Sequence, residues 1–333
     1  DVQVQMQDGA IDSVQVDKLR LEGRYDSRGL VLDTLTALAS GGTLRGAGFV
    51  DRDSLRLIVD LQDFELAPLK HSFKQSAANV SGRLHGNVRV EGPRGDPRWQ
   101  MQAAIVDGAL DVPSFEPALR FSSAMVLLTP DTLIVSGLED PEGRWSLSAN
   151  ARISEGRATR FQAGMQLNRL RVIIPETMDL TVAGHLEWKG VADSSVVSGD
   201  LVVEPGHINE PMSLQTLVFA DSATSRSTVA RVRSEVLQKV RLDVNLVGRS
   251  LLVDNDLAMI PFAAELLIGG SAARPTLKGG LRANEGSIFY MGKEFIVSRA
   301  HFEFAEARAL DDLFVLFHNP IRLDPAIDFA AQT

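Results

Sequence analysis

Residues 286–304 read GSIFYMGKEFIVSRAHFEF. Ile288 and Tyr290 alternate with Ser287 and Phe289, Met291-Gly292-Lys293-Glu294 reads as a tight turn, and Phe295 and Val297 resume the alternation. Phe302 and Phe304 continue it against His301 and Glu303. A period of two puts one apolar face on each strand. The stretch therefore predicts a meander of antiparallel strands, apolar on one face and wet on the other. It holds no grouping of residues that resembles an enzyme site.

The lead-in to this stretch recurs. Counting from Gly270, Pro275 stands at +5, Leu277 at +7, Leu281 and Ala283 at +11 and +13, Gly286 at +16 and Ile288 at +18. Counting from Gly92 gives Pro97, Trp99, Ala103, Ile105, Gly108 and Leu110 at the same offsets. Counting from Gly190 gives Ser195, Val197, Leu201, Val203, Gly206 and Ile208. An apolar alternating pair precedes each first glycine: Val88/Val90, Leu186/Trp188 and Leu266/Ile268. The sequence thus predicts three copies of one strand–turn–strand unit, at residues 81–112, 184–210 and 264–290. Glycines are expected where the backbone turns: Gly108, Gly206 and Gly286. Trp99, Val197 and Leu277 are expected on the same face. The copies are unevenly spaced, unlike the fixed period of a solenoid.

Nothing in the composition divides the 333 residues into separate bodies, and one elongated body over residues 1–333 is expected. The net charge of −9 and the lack of a basic patch argue against a nucleic-acid partner. There is no cysteine, which excludes a disulfide scaffold and thiolate metal sites. The longest apolar run, residues 257–268, is interrupted by Pro261 and Glu265 and is too short to span a membrane. The chain starts at Asp1 without a methionine or signal peptide, so it is expected to be an internal piece of something larger. One stretch breaks the two-residue rhythm. Val229, Val232, Val236, Leu237 and Val240 recur at spacings of three and four, which predicts an amphipathic helix over residues 223–240, laid across an end or rim of the sheet.

Candidate chemistry is sparse. His71, His85, His185, His207, His301 and His318 show no ligand spacing, and three of them fall on polar strand positions, so no metal site is expected. The glycine-rich residues 41–48 lack the lysine and hydroxyl that end a phosphate loop. Asp311-Asp312 lies in an expected loop with no apolar pocket to split the two pKa values. No G-x-S-x-G elbow is present. No catalytic residue, metal or cofactor is assigned. Trp99, Trp145 and Trp188 fall on apolar faces, where they either pack a core or line a groove. An apolar sheet face must be covered, and a single short helix is too small for the strands inferred. Periodicity alone admits both a closed sandwich and an open trough.

The run P-x-L-x-G-x-L-x-x-x-x-G-S-I-F-Y-M-G-K-E-F, followed by F-E-F and D-P-A-I-D-F, resembles the C-terminal region of the TamB family within the wider AsmA-like group of bridge-like envelope proteins. The resemblance is most specific over residues 241–333. It implies an all-β fold: a long curled antiparallel sheet (a β-taco or trough) with an apolar lumen and one short amphipathic helix. It further implies a periplasmic location within a protein anchored in the inner membrane by an N-terminal segment absent from this chain. The implied partners are phospholipid acyl chains and an outer-membrane Omp85-type barrel, TamA-like, met through a C-terminal end that this chain lacks. The expected function is phospholipid transport between the two membranes through a hydrophobic groove. The alternative is a chaperone or assembly factor for outer-membrane β-barrel proteins or autotransporters. The expected groove lining is Val88, Val90, Trp99, Ala103 and Ile105 in the first copy, and Leu186, Trp188, Leu201 and Val203 in the second. The third copy adds Leu266, Ile268, Leu277, Leu281 and Ile288, and the closing stretch adds Tyr290, Phe302 and Phe304.

Overall fold

The computed structural model describes residues 1–11, 14–27, 29–39, 41–66, 79–111, 118–154, 157–174, 178–191, 193–209, 235–290, 292–309 and 327–332. It is all-β, with nineteen strands assigned to one curled sheet. The strands divide between two compact units. The first unit, Asp1–Ser114 with Ala118–Ala163, holds β1 (Val2–Ile11), β2 (Val14–Tyr25), β3 (Gly29–Ala39), β4 (Gly42–Asp51), β5 (Ser54–Glu65), β6 (Asn79–Pro93), β7 (Arg98–Asp111), β8 (Leu119–Leu128), β9 (Thr132–Glu139) and β10 (Trp145–Ser154). The strand β11 (Arg157–Ile174) begins in this unit and ends in the second. The second unit, Phe115–Pro117 with Gly164–Thr333, holds β12 (Met178–Val191), β13 (Ser194–Ile208), the helical turn α1 (Glu235–Gln238), β14 (Val240–Asp254), β15 (Ala258–Ser271), β16 (Arg274–Ala283), β17 (Ser287–Tyr290), β18 (Lys293–Ala309) and β19 (Ile327–Gln332).

The three recurring units are three hairpins with one register. Val90 faces Trp99 across β6–β7, Trp188 faces Val197 across β12–β13, and Ile268 faces Leu277 across β15–β16. Cross-strand partners share a face, so Trp99, Val197 and Leu277 each sit on the face opposite the charged residues of their strands.

The glycines at the +16 position correct the sequence reading. Only Gly286 lies at a break between strands; Gly108 and Gly206 lie inside β7 and β13. What the three share is a change of parity. Apolar positions run +7, +11, +13 and then +16, so one extra residue must be absorbed for the same face to continue. In β7 the extra residue is Asp107, at φ 51°, with the β6–β7 register shifting at Ser81/Arg83. In β13 the β12–β13 register shifts between Leu180 and Val182, beside the cis Glu204–Pro205 bond. In the third copy the strand simply stops at Ala283 and β17 starts at Ser287. Asp63 repeats the first solution in β5, at φ 55° with the β5–β6 register shifting between Leu61 and Phe64, and Asp8 takes the same backbone in β1 at φ 52°. Aspartate tolerates this left-handed backbone better than most residues.

Two further points differ from the expectation. Of the helix expected over residues 223–240, the described part is the single turn Glu235–Gln238. Residues 223–234 lie outside the described chain, and Val240 opens β14 because it continues the alternation of Leu242 and Val244. The described strands also include a parallel pair. β14 runs alongside β13 in the same direction, from Ser195↔Val240 to Ile208↔Val253. A parallel neighbour requires a long return connection, and residues 209–239 supply it.

Candidate functional site

The apolar face of the first unit can be followed strand by strand. Val4, Leu21, Leu35, Gly46, Val59, Val88, Met101, Leu128, Leu133 and Ala151 form one unbroken cross-strand row from β1 to β10. A second row runs two residues away through Met6, Leu19, Ala37, Leu44, Leu61, Gly86, Ala103, Val126, Val135 and Ala149. The intervening residues on the other face are Gln5, Arg20, Thr36, Arg45, Asp60, Asn87 and Gln102, giving way to Leu127 and Ile134 in β8 and β9. No helix covers either face among the described residues.

Burial along this face is graded. At one end of the strands Val16, Ala39, Leu84, Ala103, Phe121, Ala124 and Trp145 are buried. At the other end Val90, Trp99 and Leu55 are half-buried, and Tyr25 is 73% exposed. The face is therefore closed along one rim and open toward the other.

In the second unit the row is Leu186, Gly199, Val244, Ile268 and Leu277, flanked by Gly184, Leu201, Leu246, Leu266 and Gly279. Its closed rim holds two clusters. One is Val182, Val203, Leu251 and Ala264; the other is Ala283, Val297 and Ala300 with Ile260, Ile288 and Phe302 packed on it. Trp188, at the opposite end, is 42% exposed.

The expected lining residues whose side chains are described thus fall on the apolar face of their own unit. Ala103 and Val203 are buried at its closed end, and Val88, Val90, Trp99, Ile105, Leu186, Leu201, Leu266, Ile268, Leu277, Leu281, Ile288 and Phe302 are half-buried. The side chains of Tyr290 and Phe304 lie outside the described residues. Sequence reading placed Ala103 and Trp145 on an apolar face but missed the contacts that close this rim in the first unit. The ring of Phe121 packs over Gly108, and Trp145 is 3% exposed beside the buried Asp140. The parity change at Asp107 could have signalled the first of these.

The ion pairs of Arg83, Arg144 and Arg171 lie on the other face and in the turns. Arg83 bridges Asp63 and Asp107, the two left-handed aspartates of β5 and β7, and its pKa is raised chiefly by the hydrogen bond to Asp107. Arg171 donates to Asp179 and Arg24 to Asp33 in the same way. Asp140 is the exception, a carboxylate buried in the β9–β10 turn. It accepts from the Arg144 guanidinium at 2.8 and 2.9 Å and from the backbone N–H groups of Glu142 and Arg144 at 3.0 and 3.1 Å. The Arg144 hydrogen bonds hold its pKa below the ordinary 3.8, against the opposing effect of burial. These are structural pairs, each fully engaged.

A shallow concavity of about 300 Å³ surrounds Gly279 and Gly280. Its charged walls, Glu265, Arg282, His301 and Glu303, belong to the polar face, so it offers nothing to an apolar ligand. Among the described residues no group of three or more His, Asp or Glu side chains could hold a metal ion. No helix among them is long and apolar enough to cross a membrane.

Comparison with known families matches residues 136–332 to the TamB C-terminal domain. The match covers more than half of the chain, including the second and third hairpin copies. No curated protein and no solved structure matches the chain.

Proposed function

The chain belongs to the TamB family, and from that membership we propose that its apolar face conducts phospholipid acyl chains across the periplasm between the inner and outer membranes. One observation carries the reading. Two apolar rows cross ten strands without interruption and have no covering layer among the described residues, on a face that is open along one rim. A face this extensive needs an apolar partner. Burying a fifteen-carbon chain on it is worth about 12 kcal/mol, at roughly 0.8 kcal/mol per methylene. Because the lining is a repetition of similar aliphatic side chains, neighbouring positions offer a chain similar contact. Sliding then requires no deep local trap to be escaped. The headgroup stays at the open rim, in water.

The test is native mass spectrometry of the chain purified without detergent. Co-purifying phospholipid, removed by delipidation and regained on incubation with vesicles, is the expected result. A chain that carries no lipid and regains none counts against the conduit. If the same face instead retains unfolded outer-membrane barrel polypeptide in a cross-linking experiment, the assembly-factor reading replaces it.

A further inference from the structure

The three hairpins share one register, yet their turns do different things. In the second copy Asp193 is held by Lys239 at 3.2 Å, and the Ser195 N–H donates to the Lys239 carbonyl. In the third copy the Ala272 and Ala273 N–H groups donate to the carbonyls of Val240 and Leu237, at 2.8 and 3.2 Å. Both turns are thus covered by the segment entering β14.

The first copy's turn, Pro93-Arg94-Gly95-Asp96-Pro97, is tied instead to the β4–β5 turn by the Arg94 N–H donating to the Asp53 carbonyl at 2.9 Å. These two turns together present Arg52, Asp53, Arg94 and Asp96. All four are exposed, and none makes a side-chain hydrogen bond or ion pair with another described residue. Their neighbours along the same rim are engaged. Asp51 accepts from the N–H groups of Asp53 and Ser54 and from the Ser54 hydroxyl, Asp131 from the hydroxyls of Thr129 and Thr132, and Arg24 donates to Asp33. Against these described neighbours, two arginines and two aspartates in adjoining turns stand without such partners. They lie at the open end of the apolar face, next to Leu55, Val90 and Trp99.

We propose that these two turns recognise the zwitterionic head group of an amphiphile with a primary amine, of the phosphoethanolamine class, while its acyl chains lie on the apolar face. The proposal rests on the groove reading above. Arg52 and Arg94 meet the phosphodiester, whose two non-bridging oxygens match the fork of a guanidinium group. Asp53 and Asp96 accept the ammonium N–H donors, which a trimethylammonium lacks. An indole beside the charged turn suits a boundary between apolar and wet surroundings. Equal numbers of opposite charges fit a zwitterion better than an anionic head group.

The experiment titrates the purified chain with monomeric dihexanoyl phosphatidylethanolamine, the corresponding phosphatidylcholine, chain-free phosphoethanolamine, and decyl maltoside as a neutral alkyl probe. The ethanolamine lipid is expected to bind several-fold more tightly than the choline lipid, with chain-free phosphoethanolamine far weaker than either. The double variant R52A/R94A weakens both phospholipids by about tenfold. The double variant D53A/D96A weakens the ethanolamine lipid alone, and decyl maltoside binds all three proteins equally. Equal affinity for the two lipids in the unaltered chain, or no effect of either variant while decyl maltoside still binds, overturns the head-group proposal and leaves the groove standing. Failure of decyl maltoside itself to bind overturns both.

Discussion

The ring of Phe121 stands over Gly108, its Cζ 2.0 Å from where a Cβ on that glycine would lie. Phe121 is 4% exposed, so the ring has no free direction in which to move. Adding one methyl in G108A is expected to destabilise the first unit by about 1–3 kcal/mol, the usual penalty of overpacking. F121A costs roughly 3–5 kcal/mol through the cavity it leaves. In the double variant the two penalties should be strongly sub-additive, since the alanine methyl then occupies vacated space. Urea unfolding of the four proteins measures this, and simple additivity would show that the two residues do not share the site.

Acid should loosen the β9–β10 turn in a particular window. Asp140 has its folded-state pKa held below 3.8 by Arg144. Its contribution is present above its unfolded-state pKa and is lost as pH falls through the lower folded-state value. Stability between neutral pH and about pH 5 should be flat on this account. D140N removes the charge-assisted bonds, costing about 2 kcal/mol at neutral pH, and should flatten the acid limb. Thermal melts of both proteins from pH 2.5 to 7 test it. Parallel acid limbs in the two would rule out Asp140 as the titrating group.

Asp107 holds a left-handed conformation that re-aims the rest of β7. D107N keeps both the conformational tolerance and an acceptor for Arg83, so its cost should stay under about 1 kcal/mol. D107V places a β-branched residue at φ 51° and should cost about 1–3 kcal/mol. Protease susceptibility of the two variants provides the comparison, with D107V cut faster.

A charge on the apolar face distinguishes a serial path from a distributed surface. V90R, W188R and I268R, each placed in the full-length protein, are expected to abolish lipid passage singly, with little added by combining them. A surface that held a client at many points would instead lose affinity in roughly additive steps. Trp188 is 42% exposed, so W188R should melt close to the unaltered protein and gives the cleanest reading. Normal melting together with undiminished lipid transfer in all three variants would falsify the conduit.

Alternation made the strands legible because each buried face here is a face of one sheet, read every second residue. Val88/Val90 against Trp99 and Ile268 against Leu277 could be aligned from spacing alone. The same pattern concealed the reason for the +16 glycines. A change of parity looks like a turn in one dimension, and only the left-handed Asp107 shows that the strand continues through it. The parallel pairing of β13 with β14 was hidden for a different reason. The break in rhythm before Val240 was visible, but strand direction is set by where the chain returns, and residue type does not encode that. The closed rim depended on contacts between residues distant in sequence, such as Gly108 and Phe121, which periodicity does not report.

The parallel ladder has a consequence for how the chain can be divided. Ile208 and Val240 lie at opposite ends of their paired strands, thirteen ladder positions apart, or about 43 Å at 3.3 Å per residue. The chain between them has to return along that length, whereas the strands of hairpins such as β6–β7, β12–β13 and β15–β16 follow each other across a short turn. At this seam the two strands are held by ladder hydrogen bonds and apolar contact and not by a tight turn. Two separately produced polypeptides, one ending after β13 and the other beginning at α1, should therefore recognise each other across a preformed edge and rebuild the second unit as a split protein.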